Sequence, residues 1–235
     1  MNTAMISGAS RGIGRAIALE LARKGWGLVL LSRSAGDLDR VGAEAGSAGA
    51  PKVMCLPCDI LHSANIEESV KKVQESFNSL DLLVCNAGVG KFSPVLESTE
   101  TDWEQMMNTN AKGSFMLSKA IAPLMVQKKS GQIIFIASDV ARRTFPNGSI
   151  YCASKFAQFA FASALRQELR AQGVRVSVIM PGLVASEFND GKADADEKAD
   201  WLKPADVAAA VGYIVDAPSH VLVDEITLHP LSQEI

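Results

Sequence analysis

The stretch Asn2-Thr3-Ala4-Met5-Ile6-Ser7-Gly8-Ala9-Ser10-Arg11-Gly12-Ile13-Gly14-Arg15-Ala16-Ile17-Ala18-Leu19-Glu20-Leu21-Ala22-Arg23-Lys24 decides the fold. Asn2–Ile6 reads as a short strand, and Arg15–Lys24 alternates charged and apolar residues at helical spacing. The turn between them, Ser7 to Gly14, has the glycine spacing G-x-x-x-G-x-G rather than the commoner G-x-G-x-x-G. A strand, a glycine-rich turn and a helix N-terminus, in that order, offer backbone N–H groups and the positive end of a helix dipole to a pyrophosphate. A turn chosen only for its dihedrals would also be rich in glycine. Here strand and helix flank the turn on the sides that nucleotide binding requires.

Working outward, the chain keeps alternating strand and helix. Trp26–Leu31, Lys52–Leu56, Leu80–Cys85, Gln132–Ala137, Arg175–Met180 and Glu225–Leu228 read as further strands. Helical stretches fall near Ala64–Ser76, Thr101–Lys128, Tyr151–Gln172 and Pro204–Asp216. That order predicts an α/β fold: a doubly wound parallel sheet flanked by helices. The 235 residues show no repeat, low-complexity tract or linker, so one domain is expected over residues 1–235. A hydrophobic content of 48% suffices for a sizeable core, and a net charge of -3 gives no general attraction to nucleic acid or an anionic membrane. No apolar run approaches the ~18 residues that span a bilayer. The first residues lack a basic region followed by an apolar stretch, so a soluble cytoplasmic protein is expected.

Cys55-Leu56-Pro57-Cys58 with His62 nearby resembles half of a zinc site, but Cys85 and Cys152 are scattered singly and supply no second pair. Buried free thiols in a reducing compartment are the expected state, and no metal site is assigned.

A second constellation carries chemistry. Tyr151 and Lys155 stand four apart in Tyr-Cys-Ala-Ser-Lys, which on a helix puts both side chains on one face, and Ser138 precedes the tyrosine by thirteen residues. An ammonium beside a phenol favours the phenolate. Bringing a tyrosine from ~10 towards ~7 takes about 4 kcal/mol of differential stabilisation. A serine hydroxyl nearby can hold a substrate oxygen as charge develops on it. Tyr-x-x-x-Lys alone is frequent; the nucleotide turn upstream gives it weight.

With Ser7–Gly14, Asp59, Asn86-Ala87-Gly88, Asn110, Ser138, Tyr151/Lys155 and Pro181-Gly182 in order, nearly the whole chain resembles the short-chain dehydrogenase/reductase family. Two positions depart mildly: Ser7 where threonine is usual, and Cys85 where an asparagine commonly precedes Asn-Ala-Gly. The resemblance implies a single Rossmann-type domain and hydride transfer between a nicotinamide and a carbonyl or secondary alcohol. It implies Tyr151 as general acid or base, Ser138 holding the substrate oxygen, and Lys155 lowering the tyrosine pKa and binding the ribose. It also implies that Asn110 holds a water in a proton relay to Lys155. On the same basis the cofactor is contacted by Gly8, Ser10, Arg11, Gly12, Ile13, Gly14, Asp59, Ile60, Asn86, Ala87, Gly88, Tyr151 and Lys155. Pro181, Gly182, Val184 and Ser186 are implied to close over the nicotinamide.

The tip of the second strand speaks to cofactor choice. An NAD site commonly has an acidic residue there, whereas this chain has Ser32-Arg33, with Arg11 as a second cation. Such a pair can hold a 2′-phosphate, so NADP(H) is expected rather than NAD. Asp37 and Asp39 are assigned to the following turn.

Substrate specificity is less legible. The polar stretch Glu187–Lys203 has the composition of a lid. Arg142 and Arg143 either stand at the pocket mouth, to receive an anionic tail, or are exposed loop residues. The ending Val223–Pro230 lacks the glycine pair of many relatives and looks more like members acting on 3-hydroxy acids or short 3-oxo compounds. A 3-oxoacyl thioester on a carrier protein stays open, with Lys128, Lys129 and the two arginines as basic contacts. Phe156–Leu165 is apolar almost all round, and the family pairs this helix across a two-fold axis; a homodimer or homotetramer is expected, while burial within one subunit would give the same pattern. Two other functions remain: an NADP(H)-binding regulatory protein of little turnover, and an NAD-dependent alcohol dehydrogenase.

Overall fold

The structure, a computed structural model, describes residues 1–188 and 198–234. Among these residues seven strands form one parallel sheet: β1 Thr3–Ser7, β2 Gly27–Ser32, β3 Val53–Pro57, β4 Leu82–Cys85, β5 Gly131–Ile136, β6 Val174–Pro181 and β7 Glu225–Leu228. Their spatial order is β3-β2-β1-β4-β5-β6-β7. The order reverses between β1 and β4, and a doubly wound sheet binds ligands in the crevice outside the carboxyl ends of its strands at that point. The expected α/β architecture is the one observed.

Among the described residues seven α-helices cover the two faces: α1 Gly12–Arg23, α2 Ala35–Ser47, α3 Ser63–Ser76, α4 Glu100–Met106, α5 Ser114–Lys128, α6 Ser149–Leu169 and α7 Pro204–Asp216. The period of two along each strand sorts its side chains between two cores. Ile6, Leu30, Val84, Ile134 and Ile179 pack with Ile17 and Leu21 of α1, Leu38 of α2 and Val211 of α7. Met5, Leu31, Cys85, Phe135 and Val178 pack on the other side with Ile66 of α3, Ile121 of α5 and Ala162 of α6.

Two elements depart from the sequence reading. Asp37 and Asp39 lie in helix α2, not in a turn. The single long helix expected over Thr101–Lys128 is interrupted by a π-helical stretch, Met107–Gly113, between α4 and α5. The lid reading of Glu187–Lys203 rests in part on 189–197, which lie outside the described residues.

Candidate active site

The glycine-rich turn leaves β1 with Gly8 at φ +64°, in the left-handed region that favours glycine. A Cβ at Gly14 would stand 2.1 Å from the Gly8 carbonyl oxygen, so turn and helix start are folded hard against each other. Among the described residues no side chain caps the start of α1, and its first turn carries no acidic residue. Its N–H groups therefore remain available to an anionic ligand. A cleft of about 650 Å³ opens beside Ser10, Arg11 and Gly12 and is bounded across from them by Ala185, Ser186 and Lys203. A cradle that a side chain would fill, at an uncapped N-terminus, fits a dinucleotide pyrophosphate.

The turn is clamped from β4. The Ser7 hydroxyl accepts from the backbone N–H of Asn86 at 3.0 Å and of Ala87 at 3.1 Å, and donates to the Val84 carbonyl at 3.3 Å. The serine thus retains the hydroxyl its position needs. Asn86 Nδ2 donates to the carbonyls of Ser7 at 3.0 Å and Gly8 at 3.1 Å, so this side chain holds the cradle's backbone. Ala9 N–H donates to the Leu31 carbonyl at 3.1 Å, which fastens the turn beside the tip of β2.

Arg33, exposed, follows that tip and forms no ion pair among the described residues. Asp37, the nearby acid, is engaged by the Ser34 hydroxyl at 2.8 Å and by Arg40 at 3.1 Å. Arg11 lies 3.8 Å from Glu187, both side chains being more than half exposed. Asp59 Oδ1 accepts from Leu61 N–H at 3.0 Å, which turns the chain after β3. Ile60 is buried against Gly113. Beyond β6, Val184 bridges to Leu202 and Gly182 N–H donates to the Leu228 carbonyl at 2.7 Å. The segment from Pro181 brings Ser186, buried, to within 3.7 Å of a Cβ built on Gly12.

Ser138 follows β5, and Tyr151 and Lys155 lie on one buried face of α6. Lys155 Nζ donates to the Ile136 carbonyl at 3.1 Å and to Gln158 Oε1 at 3.0 Å, and lies 5.9 Å from the centre of the Tyr151 ring. Burial holds the Lys155 ammonium down to about 7. Burial also pushes the Tyr151 phenol up, opposed by the Ser138 hydroxyl and reinforced by the Asp139 charge. This reverses the expected depression of the phenol by Lys155: both groups are out of water, so each favours its neutral form.

Asn110, fully buried in the π-helical stretch, has its amide committed elsewhere than Lys155. Its Oδ1 accepts from Val89 N–H at 2.8 Å, and its Nδ2 donates to the Val89 carbonyl at 2.8 Å and to Ser154 Oγ at 2.9 Å. Sequence reading missed Gln158, which joins Lys155 to this cluster: its Nε2 donates to Ser114 Oγ at 2.9 Å, and Ser114 donates to the Asn110 carbonyl at 2.8 Å. The available signal was a glutamine three residues after Lys155 in an otherwise apolar run. Gly88 touches the same group; a Cβ there would stand 3.2 Å from Asn110 Oδ1 and 3.7 Å from Lys155 Nζ.

Around the tyrosine the wall is aromatic, with Phe92 and Phe188 ring centres 5.4 and 5.8 Å from Tyr151. The cations proposed for an anionic substrate tail are taken. Arg142 pairs with Glu225 and lies over the Phe159 ring, and Arg143 pairs with Asp139. Lys128 pairs with Asp81, which itself bonds Thr3 at the amino end of β1, the end of the sheet opposite the site. Sequence reading also missed Asp139, His229 and Gln233, whose side chains meet beside Ser138. The thiol of Cys58 is raised by burial and that of Cys85 is pushed up to about 12.

Comparison with known proteins agrees with this geometry. A family model described as short chain dehydrogenase matches residues 2–197. A sepiapterin reductase of Chlorobaculum tepidum is 39% identical over 238 residues, covering 98% of this chain and 97% of the relative. An alcohol dehydrogenase from the archaeon Thermococcus sibiricus, solved with 5-hydroxy-NADP, superposes with a TM-score of 0.94 at 33% identity, covering 100% of this chain and 99% of its own. A metagenomic short-chain oxidoreductase solved with NADP gives a TM-score of 0.86 at 30% identity, covering 99% and 98%. With cradle, serine, tyrosine and lysine assembled at one end of such a sheet, the chain belongs to the short-chain dehydrogenase family and is an oxidoreductase.

Proposed function

We propose that this chain interconverts a small carbonyl compound and its secondary alcohol with NADP(H), Tyr151 passing the proton. One observation carries the reading: the loop that begins at Asn86 grips the nucleotide cradle at one end, and at the other Val89 N–H donates to Asn110 Oδ1, with Gly88 lying beside Lys155, so a single loop ties the two sites together. The bound nicotinamide supplies or takes up the hydride. Gly8, Ser10, Gly12, Ile13 and Gly14 hold the pyrophosphate, and Arg33, with Arg11, receives the 2′-phosphate. Support for NADP(H) comes from Arg33, which forms no ion pair among the described residues, from the engaged Asp37, and from the NADP-type complexes of the two similar structures named above. Lys155, the one cation on the buried face, hydrogen-bonds the ribose hydroxyls. A Tyr151 phenol raised above the usual range keeps its proton at neutral pH, the form that donates to a carbonyl oxygen. Ser138 holds that oxygen.

Short 3-oxo compounds remain the first substrate class. The aromatic wall of Phe92 and Phe188 also suits a flat conjugated carbonyl such as sepiapterin, the compound in the name of the Chlorobaculum relative. A carrier-bound thioester is disfavoured, because Arg142, Arg143 and Lys128 are in ion pairs and Lys129 caps the end of α5 just before β5 begins, at the end of the sheet away from the site.

Fluorescence titration with NADPH and NADH, on wild type and Arg33→Ala, tests the cofactor. NADPH should bind more tightly, and the variant should lose about tenfold of that affinity and little for NADH. Equal binding of both, indifferent to Arg33, would remove the NADP(H) assignment. Tyr151→Phe should cut turnover of ethyl 3-oxobutanoate or sepiapterin by roughly 10²–10⁴ with NADPH binding intact. Undiminished turnover would remove the tyrosine from the chemistry.

A further inference from the structure

Ser138 is followed by a carboxylate that the proposed chemistry does not use. Asp139 is only 7% exposed, and donors from distant parts of the chain converge on it. Arg143 Nε and Gln233 Nε2 each donate to Oδ2 at 2.8 Å. His229 Nε2, buried and without an aligned hydrogen bond among the described residues, lies 3.4 Å from the same oxygen. Oδ1 is left to the Ser138 hydroxyl, which donates to it at 3.1 Å. Gln233 is itself fixed, its Oε1 accepting from Leu183 N–H at 2.8 Å.

A serine hydroxyl has one proton and rotates freely until something takes it. Here the competing acceptor is the Pro181 carbonyl, farther off at 3.4 Å, and an ionised carboxylate makes the stronger bond. With its proton turned to Asp139, the serine oxygen keeps its lone pairs for the other side, where Val140 N–H approaches at 3.4 Å and the Tyr151 phenol stands.

We propose that Asp139 is a positioning residue acting through Ser138: it holds the hydroxyl in one rotamer facing Tyr151, and Arg143, Gln233 and His229 hold Asp139. The serine oxygen is thereby in place before substrate arrives, and only its hydrogen has to rotate from Asp139 to the substrate oxygen as charge develops there, Asp139 keeping its bonds from Arg143 and Gln233. The assignment rests on the function proposed above for Ser138 and Tyr151.

A double-mutant cycle tests it. Single-turnover reduction of ethyl 3-oxobutanoate or sepiapterin, whichever wild type reduces faster, is followed by NADPH fluorescence. Enzyme is in excess, and the pH lies on the flat part of the profile. Asp139→Asn should slow the chemical step by about tenfold in the presence of Ser138, and by less than about twofold in a Ser138→Ala background. NADPH affinity should be unchanged. Equal losses in both backgrounds would assign Asp139 to a direct field on Tyr151 and overturn the proposal; so would no loss, or a parallel loss of NADPH binding. If the lone substitution strands the Arg143 charge and the chain unfolds, Asp139→Asn with Arg143→Gln removes both charges and carries the same cycle. A wild type that binds NADPH but reduces neither compound overturns the proposed function itself, and the role of Asp139 with it.

Discussion

Lys155 is enclosed by α6, the end of β5 and the Gly88 loop, where an ammonium has lost most of its water. Burial lowers its pKa from 10.5 to about 7, so the folded chain binds this proton more weakly than the unfolded chain does. Protons bound preferentially by the unfolded state make stability rise with pH. The cost is therefore full below about pH 7 and fades between about 7 and 10.5. Lys155→Met removes the charge but leaves Gln158 Oε1 and the Ile136 carbonyl without their donor at every pH. The melting temperature of wild type minus that of Lys155→Met, without added nucleotide, should thus climb by roughly 4 °C or more from pH 6 to pH 10. A difference that stays flat with pH would mean that the ammonium is solvated.

At the scale of the element, α6 carries Tyr151, Ser154, Lys155 and Gln158 on one buried face, and Gln158 is the member that connects it to α5. Gln158→Leu keeps the volume but removes the acceptor of Lys155 and the donor to Ser114. The expected result is a loss of roughly 1–3 kcal/mol, read by urea unfolding, together with weaker NADPH binding as Lys155 loses its orientation. Unchanged stability and binding would make the glutamine a passive filler. The period of α6 was legible in sequence, as were β1, the turn and α1, because their apolar spacing and glycines follow from local rules. Helix α2 was not: Gly36, Gly42 and Gly46 give it the composition of a turn. Packing explains Gly42, where a Cβ would stand 2.6 Å from Cys55 Sγ on β3. The π-helical break at Asn110 was hidden for another reason. A ring one residue wider than the α-helix leaves the flanking periodicity nearly intact and shows only in which partners Asn110 can reach. Asp139, His229 and Gln233 lie up to 94 positions apart, and no local pattern announces such a meeting.

At the scale of the whole molecule, the reversal between β1 and β4 puts the Ser7–Gly14 turn, the Asn86–Gly88 loop and Ser138 at the same end of the sheet. Phe115 on α5 and Phe156 on α6 remain 41% exposed, and Phe115 packs edge-on against Phe161 of α6 at 5.7 Å between ring centres. If the chain pairs as its sequence leads one to expect, this exposed aromatic face is where the copies would meet. Phe115→Glu combined with Phe156→Glu should halve the mass found by light scattering, whereas a wild type already monomeric would remove that reading. The Ser7 hydroxyl, bonded to Asn86 and Ala87 some eighty residues downstream, has a consequence for how the protein is made. A ribosome that has released only β1 to β3 has released every glycine of the turn but not the backbone that holds it in shape. Nucleotide affinity must therefore arise at a step, when β4 docks beside β1, and not grow with the length of the emerging peptide. Binding of the dinucleotide then reports that the first half of the sheet has closed.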